Sequence, residues 1–255
     1  MSTTPLRPDP PPNTVHPDQP PDADNTGLTY RPAGSLYDVV DAWRLVHETY
    51  VAHQLIPPHP SGLHTVPHAL QSRSVVICGI IKNRVVSTLS AYMDQPQGPG
   101  LPLDSVFGDE LDALRADGRS LMEMGLFADR RDQLGRSIDA LLELMRYVCY
   151  FGVAMGGTDG VIGVHPRHAP FYTRFFAFEP VGQVRPCPRV ADHPVLLLRH
   201  DWRRRALEPC PPRGLKHLRE FPLAPDAYAQ RIDLAPDNIR GTPIEQCLDL
   251  APLVA

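Results

Sequence analysis

The sequence has no apolar run approaching the roughly 18 residues that a membrane-spanning helix needs, and its first residues lack the charged-then-apolar pattern of a secretory signal. It lacks a cationic excess: Lys and Arg total 25 against 29 Asp and Glu, a formal net charge of -4. That balance argues against a general nucleic-acid binder held by a basic surface. No Cys-x-x-Cys pair is present, the 5 cysteines are an odd number, and two of them lie in apolar periodic segments. Free thiols packed as small core residues are therefore expected, rather than disulfides or zinc ligands. No internal repeat is visible. The expectation is a cytoplasmic protein without a transmembrane segment or a nucleic-acid partner.

What the chain does have is ordinary globular material, 42% hydrophobic and 21% charged residues, enough to build a buried core. At about 150 residues per domain, 255 residues predict one domain with appendages. The outlier is proline, 30 residues where about 5% of the chain is usual, and the prolines crowd the two ends. Residues 1–27 combine prolines with Asp, Asn and Thr and offer little to bury, which predicts a disordered leader. Residues 201–255 read as a Pro-rich tail with room for short helices but no second domain.

Between the ends, strand-like and helix-like patterns alternate. Leu28 to Ala33 is a short strand candidate, and Ser35 can cap a helix in which Leu36, Val39, Val40, Trp43, Val46, Tyr50 and Val51 recur at helical spacing. Ser74 to Ile81 and Arg84 to Met93, β-branched and separated by two residues, predict an antiparallel hairpin. A polar stretch with Pro and Gly follows. Ser120 to Asp129 reads as a strand, and apolar residues from Leu134 to Met155 recur at steps of four and three, predicting one long amphipathic helix. Asp159 to Pro166 reads as a buried strand, His168 to Phe178 as a helix, and Pro194 to His200 as a closing strand. The order βαββ, insert, βαβαβ predicts an α/β or α+β fold with a mixed sheet and helices on both faces.

Glu123 is a lone carboxylate in an otherwise apolar strand, where alternation puts Leu121, Glu123, Gly125 and Phe127 on one face and Met122, Met124, Leu126 and Ala128 on the other. Burial would raise its pKa toward the range of a general base; the alternatives are a Glu paired with a buried arginine or one at a sheet edge. Gly125 marks either a bulge where a ligand approaches or a packing glycine beneath a helix. Beyond the strand, Arg130, Arg131 and Arg136 surround a helix start that could receive a phosphate, or are simply solvated. His165, Arg167 and His168 follow a buried strand at its C-terminal end, where they could bind a carboxylate or relay a proton, or form a surface turn. His59, His64 and His68 lie in a Pro/Gly loop with no helix to present them to zinc, so no metal site is expected. Met122, Met124 and Met145 could line an acyl tunnel or fill the core.

The order βαββ, βαβαβ, with a strand, a basic loop and a long helix followed by VIGVHPRHAPFYTRFFAFEPVG, resembles the GNAT superfamily of N-acyltransferases over about residues 28–200. Within it, AWRLVHETYVAHQLI, MEMGLFADRR and HPRHAPFY are most similar to the N-acyl amino acid synthase group, related to acyl-homoserine-lactone synthases. The resemblance implies a thioester donor lying between two splayed strands and a fatty acyl group delivered on acyl carrier protein to an amino-acid amine. It implies Glu123 as base, within an ExxxF pattern completed by Phe127, and Tyr172 as the acid for the leaving thiolate. Gly125, Phe127, Arg130, Arg131, Gly135 and Arg136 would meet the acyl-phosphopantetheine donor, and no tightly bound cofactor is implied. Trp43, Arg44, His47 and Glu48 of the first helix, with His165, Arg167 and His168, would border the acceptor. Leu126 and Val46 stand where the lactone synthases carry arginines, which counts against lactone synthesis from S-adenosylmethionine. RRDQLGRS departs from the coenzyme A loop of the acetyltransferases, which favours a carrier-bound pantetheine over acyl-CoA. The rival readings are a CoA-dependent N-acetyltransferase of a small amine and a non-catalytic acyl-binding module.

Overall fold

A computed structural model of the chain describes residues 27–95, 98–135, 138–206, 209–234 and 236–248. The expected leader up to residue 26, and Arg136, lie outside the described residues. Strand β1 (Thr29–Pro32) leads into α1 (Leu36–Ala52), whose first turn is capped by Ser35, its hydroxyl accepting from the Asp38 N–H at 3.2 Å. Strands β2 (Ser74–Ile81) and β3 (Arg84–Met93) form the expected hairpin. Lys82 and Asn83, at φ 48° and 62°, make its two-residue turn, the left-handed geometry that matches the twist of the strands.

The stretch after β3, expected to be an irregular insert, contains α2 (Asp104–Ala116). Phe107, Leu111 and Leu114 form its buried stripe, a helical spacing obscured in the sequence by the preceding Pro/Gly run and by Gly108 within it. Strand β4 (Leu121–Asp129) is followed not by one long helix but by a single turn, α3 (Arg131–Leu134), and then α4 (Asp139–Ala154). Gly135, at φ 68°, ends α3 in a conformation that does not propagate a helix. Strand β5 (Asp159–Val164), α5 (Ala169–Phe176), β6 (Glu179–Cys187) and β7 (His193–Asp201) complete the sheet. β6 went unrecognised because EPVGQVRPC contains two prolines and a glycine; it is an edge strand, where proline is tolerated.

The seven strands lie in the order β1-β2-β3-β4-β5-β7-β6, antiparallel except for β4 beside β5. One face carries α4, α5 and α7 (Arg213–Glu220) over a core that includes Ile77, Leu89, Met122, Met124 and Phe151. The other face is covered by two helices. α1 buries Val39, Trp43 and Val46 against Val76, Cys78 and Tyr92, and α2 buries Phe107 and Leu111 against Leu121, Val161 and Leu197. The chain after β7 returns over this body through short helices, adding Leu218 to the first core and Leu234, Ile239 and Ile244 to the α1 core. Among the described residues no helix is long and apolar enough to cross a membrane.

Candidate active site

β4 and β5 pair only through Leu121↔Asp159, Met122↔Gly160 and Glu123↔Val161. Their paired end is clamped by Asp159, whose carboxylate accepts from the Nε atoms of Arg119 and Arg199, each at 2.6 Å. Past Glu123 the strands part. The pairing of β4 with β3 also slips between Thr88↔Ala128 and Ser90↔Gly125, leaving Leu126 and Phe127 without ladder partners. This is a β-bulge, with two residues of β4 standing opposite the single Leu89 of β3. The residue that takes the positive φ is Leu126, at 55°, rather than Gly125, whose missing Cβ faces open space.

The bulge also reverses the side-chain alternation assumed from the sequence. Phe127, expected beside Glu123, packs against the core of Met122 and Met124, whereas Leu126 and Ala128 join the α1 core. One extra residue in a strand moves every later side chain to the opposite face.

The gap between the strands opens into a cavity of about 1260 Å³, with Glu123 in its wall at 5% exposure. Glu123 Oε2 accepts from the Leu103 N–H at 2.7 Å, at the start of α2, and Oε1 lies 3.8 Å from Arg189 Nη2. Burial pushes its pKa up to about 8; the Arg189 charge and the Leu103 hydrogen bond offset only part of that. Tyr92 is directly opposite on β3 and fully buried. Tyr172, on α5 and stacked in the cluster Phe171, Phe176 and Phe178, lines the same cavity, and burial pushes its phenol up to about 12, so it holds its proton at neutral pH. His64 also lines it, held down to about 4 chiefly by burial and therefore neutral, with its ring 5.5 Å from that of Tyr50.

Of the other expected residues, Gly125, Phe127, Arg130, Arg131, Glu48, His165, Arg167 and His168 line the cavity. Arg130 Nη2 reaches Glu48 Oε2 at 2.9 Å, joining the end of β4 to α1. Gly135 is not in the cavity wall. Nor are three of the four α1 residues assigned to the acceptor. Trp43 is fully buried in the core, Arg44 turns outward to Asp41, and His47 accepts from the His59 N–H at 3.0 Å. The helix is rotated so that Leu45, Glu48, Thr49 and Ala52 meet the cavity. Met124 lines the cavity, while Met122 and Met145 are core residues. His59 and His68 are not among the residues that line the wall, and among the described residues no cluster of three His, Cys, Asp or Glu side chains could hold a metal ion.

Sequence reasoning missed Arg189. It sits in a short turn (Pro188–Val190) between β6 and β7, and no local pattern distinguishes it from a solvated surface arginine. It also missed the Leu103 N–H, a backbone group, and the tyrosines Tyr50 and Tyr92, which read as core.

The mixed sheet is thus parted between two adjacent strands, with a bulge and a buried carboxylate at the fork. Solved structures with this fold include FeeM, an N-acyl amino acid synthase from uncultured soil microbes, and BjaI, a CoA-dependent acyl-homoserine lactone synthase with SAM and isopentyl-CoA. FeeM is 21% identical, with a TM-score of 0.61 over 70% of this chain and 94% of its own. BjaI is 17% identical, with a TM-score of 0.53 over 80% of this chain and 99% of its own. No curated protein matches in sequence. The sequence model of the N-acyl amino acid synthase FeeM family matches residues 41–201, and the chain belongs to that family.

Proposed function

We propose that the protein transfers a fatty acyl group from the phosphopantetheine thioester of acyl carrier protein to the amine of an amino acid. The observation that carries this reading is Glu123, a carboxyl group with its pKa raised to about 8 by burial, facing a large cavity at the fork of β4 and β5. A base with that pKa is matched to removing a proton from an amine as it acquires positive charge near neutral pH. The amine nitrogen attacks the thioester carbonyl carbon, forming the C–N bond, and Glu123 takes the proton from nitrogen, directly or through a water. The C–S bond then breaks, and Tyr172 supplies a proton to the departing sulfur. The backbone N–H groups of the Leu126–Phe127 bulge would serve as donors to the oxyanion.

The donor arm would enter past the rim formed by Arg130 and Arg131, whose charges suit a pantetheine phosphate or an acidic carrier surface. The wall's Met124, Leu126, Phe127, Val164 and Tyr172 offer apolar surface to an acyl chain. Transfer from acyl carrier protein would take place in the cytoplasm.

Incubation of the purified protein with amino acids and either acyl carrier protein thioesters or acyl-CoA, read by mass spectrometry, tests the reaction and the donor together. N-acyl amino acid from the carrier-bound thioester is the expected product. Glu123→Gln should lower turnover by on the order of 100-fold or more, and the rise of wild-type kcat/KM with pH, with a midpoint near 8, should be lost in the variant. Unchanged turnover in that variant would remove Glu123 as base. Product from acyl-CoA alone would reassign the donor.

A further inference from the structure

Arg189 occupies a place that the transfer reaction itself does not explain. Its turn is fastened by Cys187, buried in the α2 core, and by the Asp192 N–H donating to the Cys187 carbonyl at 3.0 Å. Ala191 and Asp192 both take left-handed backbone conformations, at φ 52° and 57°, to reverse the chain into β7. This places the guanidinium in the cavity wall beside Glu123. Its Nε is buried, and among the described residues no group accepts a hydrogen bond from it. The Glu123 oxygen at 3.8 Å is beyond hydrogen-bonding distance. A permanent positive charge is thus held in a partly enclosed site, at ion-pair distance from Glu123 but with its buried Nε unsatisfied among the described residues, beside a carboxyl group that is largely protonated at neutral pH. The planar donor fork of an arginine matches a carboxylate in geometry and charge.

We propose that Arg189 binds the carboxylate of the acceptor, so that the enzyme selects α-amino acids over simple amines. This rests on the reading of the cavity as an N-acyltransferase site. An α-amino acid carries its amine on the carbon next to the carboxylate, so a carboxylate paired with Arg189 leaves the amine within reach of Glu123. Arg167 is less suited to the role because its Nε is engaged by His168 at 3.1 Å in an exposed turn. Arg189 is a positioning residue: it fixes the acceptor and takes no proton.

The test compares kcat/KM for an amino acid and for the amine left by removing its carboxylate, in the wild type, Arg189→Met and Arg189→Lys. The wild type should prefer the amino acid by on the order of 10- to 100-fold, the worth of a hydrogen-bonded charge pair. Arg189→Met should lose that preference, mainly through KM for the amino acid, and Arg189→Lys should retain part of it. Arg189 also bears on the Glu123 proton, so the ratio between the two acceptors is the quantity read, because a change in the base affects both equally. A ratio equal in wild type and Arg189→Met overturns the assignment while leaving the transferase reading intact. Absence of acylation of either acceptor by the wild type, from any thioester, overturns both. Should Arg189→Met lose turnover with both acceptors, Arg189→Lys decides: a reduced ratio supports the proposal and an unchanged ratio overturns it.

Discussion

Burial keeps Glu123 protonated near neutral pH, with opposite consequences for activity and stability. The unfolded chain releases this proton near the ordinary glutamate value of 4.5, while the folded state holds it to about 8. Between those values the unfolded state binds fewer protons, so this group's contribution to stability falls as pH rises and then levels off above about 8. Glu123→Gln keeps an oxygen for the Leu103 N–H but cannot ionise. The variant should therefore gain stability relative to the wild type from pH 5 to 9, by a few kcal/mol at most, even as it loses activity. Denaturant melts of both proteins across that range check this, and parallel curves would contradict it. The strand carboxylate was legible because it interrupts an apolar alternation. Arg189 was not, because an arginine in a turn carries no mark of which cavity the turn overhangs.

At the scale of elements, the bulge lies at the open end of the β4–β5 pair and close glycine packing at its paired end. The bulge was foreshadowed by Gly125, but its centre is Leu126, since a neighbour's register rather than local propensity decides which residue is left over. At the paired end, a Cβ on Gly152 of α4 would lie 2.3 Å from the Trp202 ring and 2.7 Å from Met122 Sδ. Trp202 begins α6 (Trp202–Ala206) and also packs closely over Gly157 and Gly160, which hinders its ring from giving way. Gly152→Ala should destabilise the protein by about 1–3 kcal/mol despite the better helix propensity of alanine, seen as a lower melting temperature. An unchanged or raised melting temperature would show that the ring can shift. The hairpin and the Ser35 cap were readable because their signals are local. β6 and the break between α3 and α4 were not, because edge position and a single left-handed glycine override periodicity.

For the whole molecule, a net charge of -4 coexists with Arg130, Arg131 and Arg167 in the cavity wall, so an acidic carrier would dock by local rather than overall attraction. Reversing Arg131 and Arg167 to Glu together should raise KM for acyl carrier protein thioesters by on the order of three- to tenfold at low salt, with less effect at high salt. KM for an acyl-pantetheine without phosphate should not change. Equal effects on both donors would place the carrier elsewhere. The sequence by itself determined the alternation of strands and helices, the mixed α/β class, the buried carboxylate and the family resemblance, because hydrophobic period, turn residues and contiguous motifs are written along the chain. Only the tertiary structure decided which face of α1 meets the cavity, where Phe127 and Leu126 point, and that Arg189, 66 positions beyond Glu123, lies beside it. Those depend on register, on a one-residue bulge and on how a distant turn folds back over the sheet, none of which has a local signature.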